Sequence, residues 1–322
     1  MKTVALIFGG RSGEHEVSLR SAESIRKALD PAKYKVVDYF ISKEGRWDPR
    51  PLIPEPDRNP GIDVVFPVLH GTFGEDGTVQ GLLELADLPY VSAGVLGSSA
   101  SMDKEIAKRL MVGARLPVVE YYVAGDGLEN PFGYPVFVKP ANMGSSVGIS
   151  KVWNDAELKA AVELASKYDR KVIVERGIIG QEIECSVMGN EAPVAAIPCE
   201  VLPSREFYDY DDKYLLDRTQ FFIPARITAE QIEEVQRLAV ECYKAVGCEV
   251  MARVDFLLER PTGSAKANLY INEINTIPGF TSISMYPKMW EHSGIPFGDL
   301  LDRLIALALD RHARKKDTRF SR

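Results

Sequence analysis

The stretch "YINEINTIPGFTSIS", residues 270–284, sets Glu273 and Asn275 at alternate positions of an apolar run that then turns through Pro278 and Gly279. Alternate residues of a strand point to the same side, so the acid and the amide share a face. A second apolar run, "VMARVDFLLE" (250–259), carries Asp255 among hydrophobic neighbours. If the two runs pair, Asp255, Glu273 and Asn275 converge as three oxygen donors. Hard divalent cations such as Mg²⁺ take oxygen ligands, and a buried carboxylate without a partner is costly. The same residues also allow a blander arrangement, with Asp255 paired to Arg253 and Glu273 in water at a strand end.

The rest of the chain bounds what such a site could serve. A length of 322 residues implies two or three domains. Hydrophobic residues make up 45% and charged residues 26%, an ordinary globular balance. A net charge of −7 and a pI near 5.4 oppose non-specific attraction to nucleic acid or anionic membrane, so basic groups in a working site must be local. Four cysteines without CxxC spacing and only four histidines argue against a zinc site or a disulfide framework, and fit a reducing, cytoplasmic setting. The opening "MKTVALIFGGRSG" has too short an apolar run for a signal peptide and reads as a buried first strand. No stretch approaches the length of a membrane span. The basic end "RHARKKDTRFSR" reads as a frayed, solvated tail.

Apolar runs "TVALIFGG", "YKVVDYFIS" and "DVVFPVLHG" alternate with helical patterns at 17–29 and 78–86, the βαβ rhythm of a parallel sheet. The proline-rich segment 46–61 reads as a surface loop. One helix is expected after Gly97, over "SSASMDKEIAKRLMVGAR", at a domain joint. From "YPVFVKP" (134–140) onward, short strands and helices at 155–167 and 228–247 give an α+β layout, with a last helix near 297–312. Segment 203–222, polar and aperiodic, reads as a long loop of the kind used as a lid. The expected boundaries are 1–98, 99–182 and 183–322.

Two glycine-rich segments stand beside strands. "NMGSSVGIS" (142–150) follows "VFVKP" and could wrap its amides around phosphate oxygens, or could be a hairpin turn. Lys139 precedes these glycines, so this is not a Walker loop. "LIFGGRSGEHEVS" comes near a dinucleotide fingerprint, but Phe8 stands at its first glycine. That turn displays Glu14, His15, Glu16 and Ser18, with Glu16 and Ser18 also able to cap a helix; "LHGTFGEDG" (69–77) similarly displays His70. Ligands of open α/β sheets gather at the carboxyl ends of strands, which points both turns at one crevice.

In this order, "FGGRSGEHEVSL", "LHGTFGEDGTVQGLLE", "SMDK", "VKPANMGSSVGISKV", "FYDYDDKY", "ARVDFLL" and "NEINTIPGFTS" resemble the D-alanine–D-alanine ligase family of ATP-grasp enzymes, over residues 8 to 282. The resemblance implies an α/β ATP-grasp fold, with a Rossmann-like parallel-sheet domain followed by two α+β subdomains enclosing the nucleotide. It implies two Mg²⁺ ions, replaceable by Mn²⁺, on Asp255, Glu273 and Asn275. It assigns Lys104 and Lys139 to the α- and β-phosphates, and loop 142–150, with Gly144, Ser145 and Ser146, to covering them. Glu175, Arg176 and Ile178 are expected at the adenine, Glu182 at the ribose, and Lys213 at the γ-phosphate when the lid closes.

The implied reaction is ADP-forming carbon–nitrogen ligation of two D-alanines through a D-alanyl phosphate, for peptidoglycan. Glu14 would hold the first ammonium group, with His70 close to its carboxylate. Arg253 and the Gly279 amide would stabilise the oxyanion, Ser284 would anchor the second carboxylate, and Glu14, Ser145 and Tyr214 would join the first domain, the glycine loop and the lid. The expected partners are small molecules, without nucleic acid or membrane. A homodimer is left open, because the segment between 42 and 62 is shorter than in many relatives. Met285 lies where acceptor choice varies, so D-lactate or D-serine ligation stays as an alternative. A non-catalytic ATP-binding regulatory protein is the rival from another class.

Overall fold

The run Lys2–Gly9 forms strand β1, and Val4 to Ile7 are fully buried because both faces of its sheet are covered. The computed structural model describes residues 1–125, 129–144, 147–202, 219–260 and 267–319. β1 pairs in parallel with β2 (Tyr34–Ile41) on one side and β4 (Val64–Val68) on the other. Helix α1 (His15–Ala28) packs Ala22 and Ile25 on one face, and α2 (Thr78–Leu85) packs Val79 and Leu83 on the other. The proline-rich segment is not wholly loop. Trp47–Asp48 forms a short strand β3, antiparallel to β2, that extends the sheet.

The single helix expected after Gly97 is two, α3 (Val95–Met102) and α4 (Lys104–Gly113). Asp103 interrupts them: its backbone is extended, and its carboxylate accepts the Glu105 and Ile106 amides at 3.1 Å each as the N-cap of α4. A second sheet of four antiparallel strands follows, with β5 (Tyr121–Val123), β8 (Val172–Arg176), β6 (Val136–Pro140) and β7 (Ser150–Val152) side by side. Helix α5 (Asp155–Ala165) packs Leu158, Ala161 and Ala165 against it.

The third sheet carries β12 (Gln220–Phe222), β11 (Cys199–Leu202), β9 (Gly180–Gly189), β13 (Val250–Glu259) and β14 (Leu269–Asn275), in that order, with β10 (Val194–Ala195) also on β9. The expected long loop therefore ends in a strand at 220–222, while 203–218 lie outside the described residues. Helix α6 (Ala229–Ala245) opens on a capping box of Thr228 and Gln231 and packs Val235, Leu238 and Cys242 on this sheet.

Two further helices close the described chain, α7 (Met285–His292), which the sequence pattern did not suggest, and α8 (Phe297–Lys316). The basic end is docked rather than frayed through Lys316, and Arg311 donates to the carbonyls of Tyr90 and Ser92. Among the described residues no helix is long and apolar enough to cross a membrane.

α8 returns to the beginning of the chain. Leu300, Leu301, Leu304 and Ile305 share one buried cluster with Val4, Leu6 and Phe66, so the first sheet and the C-terminal helix make a common core. Truncating Leu304 to Ala should lower unfolding free energy by about 2–5 kcal/mol, the range for a buried leucine whose cavity does not collapse. Urea denaturation of the two proteins measures it, and a loss under about 1 kcal/mol would mean α8 is not part of that core.

Candidate functional site

Strand register builds the first part of the site. In the β13–β14 pair, Arg253 faces Asn275 and Asp255 faces Glu273, so all four side chains stand on one side of the sheet. Asp255 pairs with Glu273 and Phe256 with Ile271, which leaves Asn272 as an extra residue on β14, a β-bulge. The Arg253 guanidinium grips Asp255 with two bonds, Nε to Oδ1 at 2.6 Å and Nη2 to Oδ2 at 2.7 Å, and lies 3.3 Å from Glu184 on β9. Burial would push the Arg253 pKa down, but Asp255 and Glu184 together hold it well above its ordinary value. Asn275 donates Nδ2 to Asp255 at 2.9 Å. The predicted donor trio and the predicted Arg253–Asp255 ion pair thus occur together.

No three His, Cys, Asp or Glu side chains among the described residues are placed to hold a metal ion. The donors of Asp255, Glu273 and Asn275 are nonetheless all oxygen in kind, and the acids on this face are met by cations. Arg253 sits on Asp255, and the Lys104 ammonium stands 3.8 Å from Glu273. That chemistry fits a hard divalent cation, with Asp255 shared between it and Arg253.

The lysines come from helix α4 and the second sheet. Lys104 begins α4 directly after the Asp103 cap; its amide donates to Ala141 and its ammonium to the Met143 carbonyl at 2.7 Å. Lys139, on β6, reaches Glu175 at 2.5 Å and the bulge residue Asn272 at 3.3 Å. The bulge thereby joins the second and third sheets. Glu175 is 2% exposed and is also 3.0 Å from Lys108. Burial would raise its pKa, but the two ammonium groups override that and hold it down at about 2. Arg176 pairs with Glu120 and Glu259 and lies over the Tyr270 ring, Ile178 is half-buried between β8 and β9, and Glu182 lies on β9. Gly144 lines the cleft, whereas Ser145, Ser146, Lys213 and Tyr214 lie outside the described residues.

The first sheet supplies the opposite wall. Glu14 precedes α1 without capping it through its side chain. Its carboxylate lies so near Gly71 and Gly144 that a Cβ at either would stand 3.4 or 3.5 Å from Oε2. Ser18 does not cap the helix. It accepts the Gly9 amide at 2.8 Å and donates to the Val68 carbonyl, tying β1 to β4, while Glu16 pairs with Lys43 at the surface.

His70 Nδ1 stands 3.0 Å from the Ile277 carbonyl, and its buried Nε2 has no hydrogen-bond partner among the described residues. Burial pushes its pKa down, so the ring is neutral with Nδ1 donating and Nε2 left as an acceptor.

The turn after β14 is held from three sides. Glu75 accepts the Ile277 amide at 3.0 Å and the Gly71 amide at 2.8 Å; Ser21 accepts the Phe280 amide at 3.1 Å; Ser284 accepts the Thr281 amide at 2.9 Å. A Cβ on Gly279 would come within 2.7 Å of Ser284 Oγ, so a side chain there would push the hydroxyl off its bond to the Thr281 amide. One cleft brings together Glu14, His70, Lys104, Gly144, Arg253, Glu273, Asn275, Gly279 and Ser284; Lys139, Glu175, Arg176, Ile178 and Glu182 lie outside its lining, along β6, β8 and β9.

Sequence reasoning missed Glu75, Glu184 and Lys108. Glu75 stands in the quoted "GEDG" turn, where an acid after glycines is a usable signal. The other two resemble any strand acid and any helix lysine. Burial, and then the Glu14 charge, raise the Glu75 pKa to about 8 against two amide bonds that lower it.

Comparison with known proteins agrees with this arrangement. A family model for the D-ala D-ala ligase C-terminus matches residues 123–306. The model for the N-terminus matches residues 3–57 and 51–93, two pieces that meet inside the proline-rich segment. The chain is 64% identical over 325 residues to a D-alanine–D-alanine ligase of Solibacter usitatus, covering 99% of both chains. It is 49% identical to one from a Thermoanaerobacter species, covering 98% of both. Among solved structures, the D-alanine–D-alanine ligase from Coxiella burnetii superposes with a TM-score of 0.86 at 36% identity, over 98% of this chain and 96% of that one. The VanG D-Ala:D-Ser ligase from Enterococcus faecalis gives 0.84 at 36% identity, over 95% and 99%. With its three sheets arranged as in those enzymes, this chain belongs to the D-alanine–D-alanine ligase family and has its ATP-grasp fold.

Proposed function

We propose that this protein joins two D-alanines into D-alanyl-D-alanine, converting ATP to ADP and phosphate, for peptidoglycan synthesis. The observation that carries the reading is one cleft lined together by Glu273 and Asn275 of β14, Arg253 of β13, the Gly279 turn, Glu14 and His70, with Asp255 held against Arg253 beside it. Family membership over the full length supports it.

A carboxylate is a poor acyl donor because its oxygen leaves badly. In the proposed first step, a carboxylate oxygen of the first D-alanine bonds to the γ-phosphorus while the bond to the departing ADP oxygen breaks, giving D-alanyl phosphate. The neutral amine of the second D-alanine then attacks the carbonyl carbon, and the tetrahedral intermediate expels phosphate, which takes up the proton the amine gives up. Arg253, together with the Gly279 amide, stabilises the oxyanion. Ser284 anchors the second carboxylate. Lys104 and Lys139 hold the α- and β-phosphates under the loop of Gly144, Ser145 and Ser146, and Lys213 meets the γ-phosphate. Glu175, Arg176 and Ile178 take the adenine and Glu182 the ribose. Asp255, Glu273 and Asn275 would hold two Mg²⁺ ions, which when bound neutralise charge developing on the transferred phosphoryl group. Tyr214, through Ser145 and Glu14, helps exclude water from the acyl phosphate.

Charge states decide which substrate group sits where. Glu75 holds its proton at neutral pH and His70 is neutral, and we place the substrate ammonium at the Glu14 carboxylate. The likeness to a D-Ala:D-Ser ligase means the fold alone does not set the acceptor; Met285, buried beside Ser284, is where we place that choice.

Incubation with ATP, Mg²⁺ and D-alanine, D-serine or D-lactate, with the products identified, tests the assignment. D-alanyl-D-alanine should dominate at neutral pH; a dominant mixed product would move the protein to the alternative acceptor class, and ATP binding without any ligation would make it a regulatory protein. Glu273→Gln should keep the fold and lower turnover by at least about a hundredfold, because the charge facing the transferred phosphoryl group is lost. Near-normal turnover of the folded variant would remove Glu273 from the site.

A pH experiment checks the wall. The folded-state pKa of Glu75 lies above its unfolded value, so between about 4.5 and 8 the folded protein holds a proton that the unfolded chain has released. The stability it contributes is present at the acid end of that window and falls as pH rises through it. Glu75→Gln, neutral throughout, should shrink the fall in Tm between pH 5 and pH 8. An unchanged Tm profile would show that Glu75 is ionised in the fold.

A further inference from the structure

Beside the cleft, beyond Lys104, runs a buried row of three charges, Lys108–Glu175–Lys139. Lys108 comes from α4, one turn after Lys104, and its side chain is 1% exposed, so it cannot touch a molecule bound in the cleft. Its ammonium stands 3.0 Å from Glu175 Oε1, while Lys139 takes Oε2 at 2.5 Å. The Lys108 ammonium also lies 5.6 Å from the Tyr121 ring centre. A second buried lysine is an expensive way to hold one carboxylate, since an ammonium loses its hydration on entering the interior. Glu175 and Lys139 alone would already form a balanced pair.

The consequence lies in the charge left over. Burial pulls the Lys108 pKa down and the Glu175 charge opposes it. With both ammonium groups charged against one carboxylate the row carries one net positive charge, and Lys139, with 11% of its side chain exposed, is the lysine of the row nearer solvent. Without Lys108, Glu175 would spend its whole charge on Lys139, and the row would be neutral towards an anion. We propose that Lys108 is a positioning residue for nucleoside polyphosphate binding: by occupying one oxygen of Glu175 it keeps Lys139 electrically available to phosphate. This rests on the reading of Lys139 as a phosphate ligand. The site's preference for polyphosphate over the bare nucleoside is then set in part by a residue that contacts neither.

Calorimetric titration with ADP and Mg²⁺, and separately with adenosine, tests it on the full-length protein, its Lys108→Met variant and its Lys108→Arg variant. Lys108→Met should weaken ADP about tenfold, the effect of a unit charge several ångström away at an effective dielectric constant near ~20. Adenosine affinity should fall much less than ADP affinity: Glu175, proposed to meet the base, keeps its charge and its Lys139 partner in the variant, and adenosine has no phosphate for the lost charge to act on. Lys108→Arg should bind ADP as the wild type does. In turnover, the methionine variant should raise KM for ATP and leave KM for the amino acid in place.

Equal losses for ADP and adenosine would reduce Lys108 to a packing role and overturn the proposal, as would no loss at all. Should the methionine variant not fold, Lys108→Gln removes the same charge and keeps a polar group near Oε1, and the same two ligands decide. A wild-type protein that binds neither ADP nor adenosine would instead overturn the nucleotide reading on which the proposal stands.

Discussion

The Arg253 guanidinium is the group on which the cleft depends. It sits on β13 at the middle of the third sheet, with Asp255 at 2.6 Å from its own strand and Glu184 at 3.3 Å from β9. A buried cation is tolerable only with such partners, and stripping one away from a pair of this kind costs about 3–5 kcal/mol. The arrangement does more than balance charge. Both Asp255 oxygens are taken up, by Arg253 and by the Asn275 amide, so the acid is rigidly aimed before anything binds. A divalent cation held as proposed on Asp255, Glu273 and Asn275 would share Asp255 with Arg253, the residue proposed to meet the oxyanion.

Rigidity on the other wall has a different source. The turn 276–284 has little regular structure to hold it, and its amides are taken by Glu75, Ser21 and Ser284, the first two from the N-terminal part of the chain. Beneath this, α8 lies against β1 and β4 in one apolar core. The hydrogen bonds aim the backbone and the core keeps the two ends of the chain from sliding. Gly279 belongs to this logic, since Ser284 occupies the space a side chain would need.

What could be read from the sequence was local. Apolar runs gave β1, β2 and β4, and the two-residue spacing of Glu273 and Asn275 placed them on one face because alternation is a property of any strand. The break between α3 and α4 was hidden because Asp103 has no helix-breaking residue beside it; its role appears only once its carboxylate is seen on two amides. Helix α7 begins with Met285, Tyr286 and Pro287, a run whose helical character comes from burial of Tyr286 and Trp290 rather than from propensity. Most of the unread part of the site is long-range in origin. The Asn272 bulge exists only in the register of β13 with β14, and Lys108 reads as a solvated helix lysine until Glu175 arrives from β8. The family resemblance filled some of this gap by carrying residue roles that no periodicity contains.

An acidic protein that handles a polyanion must sort its charges in space, and this one does so by sheet. The second sheet and helix α4 bring Lys104, Lys108 and Lys139 together, with Glu175 and Glu273 as close carboxylates. The first sheet brings Glu14, a protonated Glu75 and a neutral His70 to the opposite wall, an environment suited to an ammonium group. The third sheet stands between them with acids and Arg253 interleaved. In the proposed reaction such a distribution would favour a zwitterion with its ammonium towards Glu14 and its carboxylate towards the cationic side, where a phosphoryl group would also lie. The direction of the proposed reaction, carboxylate onto phosphorus rather than amine onto phosphorus, thus follows from where three sheets put their charges.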